Sequence, residues 1–494
     1  MSNPYEALGV RPFINCCAVR TVHGGSLMLP EVRDAVAAAS RMFVNLDELM
    51  EAASARIAAL TGAEWGIVTC GSAAAVALGT AACVAGNDPL KMLKLPFTEG
   101  MTNRVIMPRN QRFAYDQAIR MIGTHIIEID TLDDLEAALR EPAAMVCLLG
   151  THEHLATIRL EDIVQRTRPL GIPILVDAAS EHIEKPSPWL VRGADLVVYS
   201  GGKFLRGPQT SGLLLGRKDL VQAAWRNASP HQALGRPMKV SKEDIVGLVT
   251  ALEVWFRHRD VSLERRRWDI DLATIAAKLG SVCRATVMPP EGVEQVPRLR
   301  ITWDAERTGL DGNALRAKLL SGTPRVMLDD MSATADSIAI DPFSLQPGEA
   351  AQVGDAIAVA LSANAALSPQ PAPARTDLAG TWILDVTFLH GSRTHHLTLG
   401  QSGATLHGTH RSPDFTGPVA GVLTADGLAF HLDTTHEAST IRYTFEGSAA
   451  GEGKPAGPTL GGTVTVGTYN AHHIGAVNLA QFGTGHWSAR RAMA

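Results

Sequence analysis

The chain has 494 residues, 46% of them hydrophobic and 19% charged, with a net charge of −5 and a pI of about 6.4. This is the composition of an ordinary globular protein, long enough for two or three domains. No stretch is strongly basic, which excludes a large nucleic-acid footprint, and no apolar run of about 18 residues suggests a membrane helix.

The six cysteines (Cys16, Cys17, Cys70, Cys83, Cys147 and Cys283) show no Cys-x-x-Cys spacing. Most lie in apolar surroundings and read as buried thiols, which points to a reducing compartment. The stretch Met1-Ser2-Asn3-Pro4-Tyr5-Glu6 lacks the basic and apolar regions of a signal peptide. A cytoplasmic location is the expectation.

Residues 1–240 read as a large α/β domain in which helices and strands alternate. Pro30 to Ser40 opens as a helix with proline in its first turn. Leu46 to Thr61 is helical and stops at Gly62. Trp65 to Cys70 is a short apolar strand, and Gly71-Ser72 then feeds a helix over Ala73–Val84. Further strands are expected at Arg104–Pro108, His125–Ile129, Met145–Leu149, Ile172–Val176, Leu196–Ser200 and Gly212–Gly216. Strands separated by helices imply a mostly parallel, covered sheet.

Residues 241–367 read as connecting helices (Glu243–Arg257 and about Arg259–Leu279) followed by a small α+β domain. Its expected pieces are Val296–Trp303, Ala314–Leu320, Arg325–Leu328 and a closing helix over Gln352–Ala363. Residues 368–375 are proline-rich, a semi-rigid spacer.

From 376 to 494 the composition changes to short alternating stretches broken by glycine. Eight strands are expected: Thr381–Phe388, His395–Leu399, Thr405–His410, Gly417–Leu423, Gly427–Leu432, Thr440–Glu446, Leu460–Val466 and Gly483–Ala489. Eight such strands suffice to close an up-and-down barrel. Gly380-Thr381-Trp382 and His486-Trp487-Ser488-Ala489-Arg490 are similar to the closure of lipocalin- or avidin-type barrels. This module is rich in histidine, including His395-His396 and His472-His473. Adjacent strand residues point to opposite faces, so neither pair chelates together, and no metal is expected.

The most informative segment is Val176-Asp177-Ala178-Ala179, then Ser200-Gly201-Gly202-Lys203 and Arg206-Gly207-Pro208-Gln209. One buried strand ends in a carboxylate, and a second is followed by a lysine. Ligands of α/β sheets bind at the strands' carboxyl ends, so both groups can reach one ligand. A lone Gly-Gly-Lys reads more readily as a solvated turn after a strand. It is not a nucleotide phosphate loop, because Phe204 stands where Ser or Thr is required. Together the acid and the lysine suit pyridoxal 5'-phosphate (PLP). Lysine forms the Schiff base, and an acid keeps the ring nitrogen protonated.

With Arg11-Pro12-Phe13-Ile14-Asn15, Thr61-Gly62-Ala63-Glu64, Gly71-Ser72-Ala73-Ala74, Tyr115-Asp116-Gln117-Ala118-Ile119-Arg120 and Gly235-Arg236-Pro237-Met238-Lys239, these motifs resemble the selenocysteine-synthase-like family of fold-type-I PLP enzymes. That family includes D-glucosaminate-6-phosphate ammonia-lyase. The resemblance runs from about Arg11 to about Leu361. It implies a type I PLP-dependent transferase fold with a mostly parallel sheet and a small α+β lobe, here followed by the barrel. It assigns Lys203 as the Schiff-base lysine and Asp177 as the partner of the ring nitrogen. It implies a homodimer or higher even oligomer, since relatives build each site from two subunits.

Gly71, Ser72 and Ala73 open a helix amino terminus suited to a phosphate, or form a plain helix cap. Ser200 is a second candidate phosphate contact. Ala179 offers a small face to the ring, and Gln111 stands where relatives place a flat side chain over it. His152 and His154, after the Met145–Leu149 strand, are candidates for proton transfer. Arg20, Arg206, Arg298 and Arg325 are candidate carboxylate clamps. The expected chemistry is removal of the Cα proton of an amino-acid substrate with Lys203 as base. Elimination of a β-substituent is the first reading. Racemisation, with His152, His154 or Cys17 as second base, and β-replacement are the alternatives within enzymes. A ligand-binding protein that uses the barrel is the alternative outside them.

Overall fold

The computed structural model describes residues 3–290, 296–362, 377–388, 391–424, 427–450, 459–469 and 481–492. The proline-rich stretch 368–375 and the histidines His390, His472 and His473 lie outside them. The chain divides into two compact units, Met1–Ala365 and Ala366–Ala494.

In the first unit, strand β1 (Ile14–Cys16) precedes a seven-stranded sheet. That sheet comprises β2 (Trp65–Thr69), β3 (Arg104–Pro108), β4 (His125–Ile129), β5 (Met145–Leu149), β6 (Ile174–Asp177), β7 (Leu196–Ser200) and β8 (Gly212–Gly216). The spatial order is β2-β8-β7-β6-β5-β3-β4. Strands β4, β3, β5, β6 and β7 are parallel, and β8 runs against both β7 and β2. β5 and β8 are buried along their whole length, as expected for a sheet covered on both faces.

The covering helices start and stop where the chemistry says they should. Asn45 accepts hydrogen bonds from the N–H groups of Asp47 and Glu48, and helix Leu46–Thr61 ends at Gly62, whose φ is 77°. Helix Ser72–Ala85 is alanine-rich and almost wholly buried. Gly79 lets it lie close on the sheet, because a Cβ there would stand 2.7 Å from Leu175 Cδ1.

The small lobe holds β9 (Arg284–Met288), β10 (Arg298–Thr302), β11 (Val326–Leu328) and β12 (Ser337–Ile340), with helices Val261–Leu279, Gly312–Ser321 and Glu349–Ser362. β12, β10 and β9 form one antiparallel sheet. β11 pairs in parallel with β1, and Ile14 and Cys16 join Leu272, Leu299, Val326 and Ile357 in one core. The strand Ile14–Cys16 thus pairs and packs with elements of residues 241–367.

The second unit is a closed up-and-down barrel of eight antiparallel strands, each paired with its sequence neighbours: β13 (Gly380–Phe388), β14 (Gly391–Ser402), β15 (Thr405–Arg411), β16 (Thr416–Thr424), β17 (Gly427–His436), β18 (Ser439–Ala450), β19 (Thr459–Tyr469) and β20 (Thr484–Arg491). β13 and β20 close the ring through Trp382↔Arg491 to Thr387↔His486. The interior is filled by side chains, among them Trp382, Leu384, Phe430, Phe445 and Trp487. Phe430 and Phe445 stack with ring centroids 4.4 Å apart. As the strand period requires, His395 points inward and is fully buried while its neighbour His396 is exposed.

Candidate active site

Topology brings the motif residues to one edge of the large sheet. β2 and β7 both run opposite to β8, so their carboxyl ends and the start of β8 share the edge formed by the carboxyl ends of β3, β5 and β6. In register, Thr69 and Ser200 flank Gly212, while Asp177 lies beside Leu149 and Val198. Gly71-Ser72, Gln111, Gly150, Asp177 and Lys203 therefore all follow or end strands at that edge.

The start of helix Ser72–Ala85 forms a cradle. Gly71, at φ 89°, precedes it and supplies no side-chain cap. The first N–H groups are thus left without intrahelical acceptors, and the helix dipole favours an anion there. Ser72 is half-buried and Ala73 is exposed, so this end faces open space. Gly212 makes the approach possible: a Cβ on it would stand 2.3 Å from Gly71 C and 2.6 Å from Ser72 N. The sequence reading missed Gly212, whose role arises only from this cross-strand contact.

The lysine loop is equally tight. A Cβ on Gly201 would stand 2.0 Å from Ser211 Oγ, and one on Gly202 would stand 2.5 Å from Gln209 Cα. Both glycines of Ser-Gly-Gly-Lys are thus required by the return of the chain over 207–211. The Ser26 N–H and Oγ both bond to Gly202 O, at 3.0 Å each, tying the N-terminal segment to this loop.

Asp177 is buried at the tip of β6. Its Oδ1 accepts the Ala179 N–H at 3.0 Å, while Oδ2 has no hydrogen-bond partner among the described residues. Burial pushes its carboxyl up from the ordinary range, opposed by the Ala179 N–H and the Lys203 charge. Lys203 is shifted the opposite way: burial lowers its amine, opposed by Asp177. Its Nζ donates to Ser180 Oγ at 2.6 Å. Glu181 follows, with Oε2 accepting from Trp189 Nε1 at 2.7 Å, and burial pushes this carboxyl up to about 7. No motif pointed to Ser180 or Glu181.

Residues 35–241 match the Aminotransferase class-V family. A D-glucosaminate-6-phosphate ammonia lyase of Salmonella typhimurium is 30% identical over 364 residues, spanning 71% of this chain and 96% of its own. A 5'-C-glycyluridine monooxygenase-decarboxylase of a Streptomyces species is 31% identical over 358 residues, spanning 69% of this chain and 88% of its own. The solved structure of a D-glucosaminate-6-phosphate ammonia-lyase superposes with a TM-score of 0.65 at 28% identity, covering 73% of this chain and 99% of that one. The chain belongs to the D-glucosaminate-6-phosphate ammonia-lyase-like family of PLP enzymes.

The residues present in this family member fit PLP. The uncapped helix start at Ser72–Ala74, held open by Gly212, could receive its phosphate. Asp177 offers one unpaired carboxylate oxygen for a protonated ring nitrogen. Lys203 brings an amine whose only hydrogen-bond partner among the described residues is a serine hydroxyl. Ser200 is half-buried beside Gly212, and Ala179 follows Asp177 with a small side chain.

The other residues proposed from sequence are placed differently. Gln111 is buried, and its Oε1 accepts the Leu149 N–H at 2.8 Å, which ties the end of β3 to the end of β5. His154 is exposed, and the His152 ring, 6.4 Å from it, meets Asn110 O at 3.1 Å. Arg20 is paired with both Asp329 and Asp330, which neutralise the guanidinium offered as a clamp. Arg298 lies 3.6 Å from Asp341, and Arg325 donates to Leu320 O and Arg11 O. Arg206, at φ 54°, donates through Nε to Leu27 O at 3.0 Å and has no carboxylate partner among the described residues. Among the described residues no three His, Cys, Asp or Glu side chains form a metal-binding group, and no helix is long and apolar enough to cross a membrane.

Proposed function

We propose that this PLP enzyme is a lyase that eliminates the β-substituent of a β-hydroxy or otherwise β-substituted amino acid, releasing ammonia and a keto acid. The observation that carries this reading is the meeting of Asp177, Lys203 and the uncapped Ser72 helix start at one sheet edge, in a chain 30% identical to an ammonia lyase. When bound, PLP supplies an electron sink for charge developing at the substrate Cα.

The protein supplies the rest. Asp177 holds the ring-nitrogen proton, and the helix start orients the phosphate. Lys203, whose proton affinity is lowered by burial, takes the Cα proton once its amine is free. Arg206 is the clamp we assign to the substrate carboxylate, because Arg20 and Arg298 both lie against aspartates. Racemisation is disfavoured by the placement of the proposed second bases. His154 is exposed, His152 meets Asn110 O, and Cys17 Sγ is engaged with Asn15 Oδ1 and His23 Nδ1 at 3.1 and 3.0 Å.

We further read the active form as a homodimer or a multiple of one, located in the cytoplasm. The exposed side chains of Phe43, Leu90, Leu93 and Phe97 support the first. The free cysteines support the second. Incubation with a panel of β-substituted amino acids, phosphorylated and not, tests the function, with ammonia, keto acid and optical rotation measured against a Lys203→Ala blank. Ammonia and keto acid should form together and vanish in the variant. Loss of optical rotation without ammonia, or turnover undiminished in the variant, overturns the reading.

A further inference from the structure

The turn after β6 does more than present Asp177. Ala178 N–H donates to Val198 O at 2.9 Å, Ala179 N–H to Asp177 Oδ1 at 3.0 Å, and Glu181 N–H to Ala178 O at 3.0 Å. These bonds fix Ala178, Ala179 and Glu181 on either side of Ser180. Ser180 is the one side chain of that turn directed at the lysine, with its Oγ 2.6 Å from Lys203 Nζ. Among the described residues its hydroxyl has no other partner, and Ser180 is exposed.

We propose that Ser180 is a positioning residue for Lys203, holding the free amine by one N–H so that its lone pair stays aimed at the substrate Cα. This rests on the reading of Lys203 as Schiff-base lysine and base. A neutral amine carries two N–H groups and one lone pair. Anchoring one N–H to a fixed hydroxyl removes the rotational freedom of a four-carbon stem, which otherwise spreads the base over many orientations. After the amine takes the Cα proton, the same oxygen accepts a charge-assisted bond from the ammonium, which is stronger than the neutral one. Ser180 thus favours proton uptake at Nζ without itself gaining or losing a proton.

Ser180→Ala and Ser180→Thr test this in the full chain. Three readouts are taken: exchange of the substrate Cα proton in deuterated water, its pH profile, and the pH-dependent rate at which apoprotein links added PLP. In Ser180→Ala, exchange should fall roughly tenfold at unchanged KM, the scale of one lost hydrogen bond. PLP linkage should slow across the pH range, and the pH profile should move. Threonine should restore all three. Exchange, pH profile and linkage rate in Ser180→Ala within twofold of wild type overturn the proposal. Peptide mapping of borohydride-reduced wild type separates the two failures. A pyridoxyl group on another lysine overturns both readings, whereas one on Lys203 with an unaffected Ser180→Ala overturns the Ser180 role alone.

Discussion

Replacing Gly212 with alanine puts one methyl group where the structure has no room for it. The new Cβ would lie 2.3 Å from Gly71 C, 2.4 Å from Gly71 O and 2.6 Å from Ser72 N. Carbon atoms in contact settle at about 3.5–4.0 Å, so a separation of roughly 1.2 Å or more must be made. Strand β8 cannot supply it, since Gly212 is paired on one side with Thr69 and on the other with Ser200. The first peptide of helix Ser72–Ala85 must move instead. A shift of that size carries an N–H beyond hydrogen-bonding range of a phosphate. One hydrogen bond to a charged group contributes about 1.5–3 kcal/mol, so PLP affinity should fall by about 10- to 150-fold. The overpacking itself should cost about 1–3 kcal/mol of stability. Gly216→Ala, at the far end of the same strand, is the control: its Cβ would stand 1.9 Å from Asp195 O at φ 140°. It should lower Tm while leaving PLP affinity near wild type. Absorbance titration of both apoproteins with PLP, beside thermal melts, decides the matter. PLP affinity within twofold of wild type in Gly212→Ala would refute the cradle.

Other outcomes follow from the same geometry. Asp177→Asn should keep PLP, seen as a borohydride-reducible absorption band, but lose turnover by roughly a hundredfold or more, the scale of removing one contact to developing charge; near wild-type kcat would remove Asp177 from its role. The barrel should weaken in acid. His395 is pushed down to about 4, chiefly by burial, so the folded state refuses a proton that the unfolded chain takes at 6.5. Stability is then full above about pH 6.5 and declines as pH falls to about 4, by about 3 kcal/mol in all. Urea unfolding of the barrel over this range should show the decline, and His395→Phe should flatten it; an unchanged slope would count against the assignment. Residues 1–375, which contain the whole first compact unit, should still bind PLP when expressed alone. An insoluble or PLP-free product would show that the two units depend on each other.

The large sheet was legible because its strands are unbroken apolar runs. β6 was misplaced by two residues at its start, since Pro173 has no N–H to donate and pairing begins at Ile174, carrying the strand through Asp177. The eight barrel strands were legible from strict alternation, although each is longer than expected, as the flanking polar residues continue the pairing. Three short strands were missed. β1 has three residues, β12 has four, and β9 shows no clean apolar face. Lys203 and Asp177 stand where the sequence placed them, one just past and one at the end of a recognisable strand. The pairing of Arg20 with Asp329 and Asp330 was not legible, because these partners lie more than 300 residues away in the chain. Ser180 and Gly212 carry no local signal, since each acquires its role from a residue of another strand or loop.

The pairing of β1 with β11 has a consequence for how the chain reaches this structure. Ile14 finds its neighbour only when Val326 exists. During synthesis the large sheet, complete by Gly216, can condense early, while the first strand waits for its partner. Closing so long a loop is slow, and an unpaired strand that waits is exposed to wrong partners. The barrel is free of this handicap, because every strand except the closing pair meets its sequence neighbour. The two units should therefore mature at different speeds, with the catalytic one, although made first, finishing late relative to its own length.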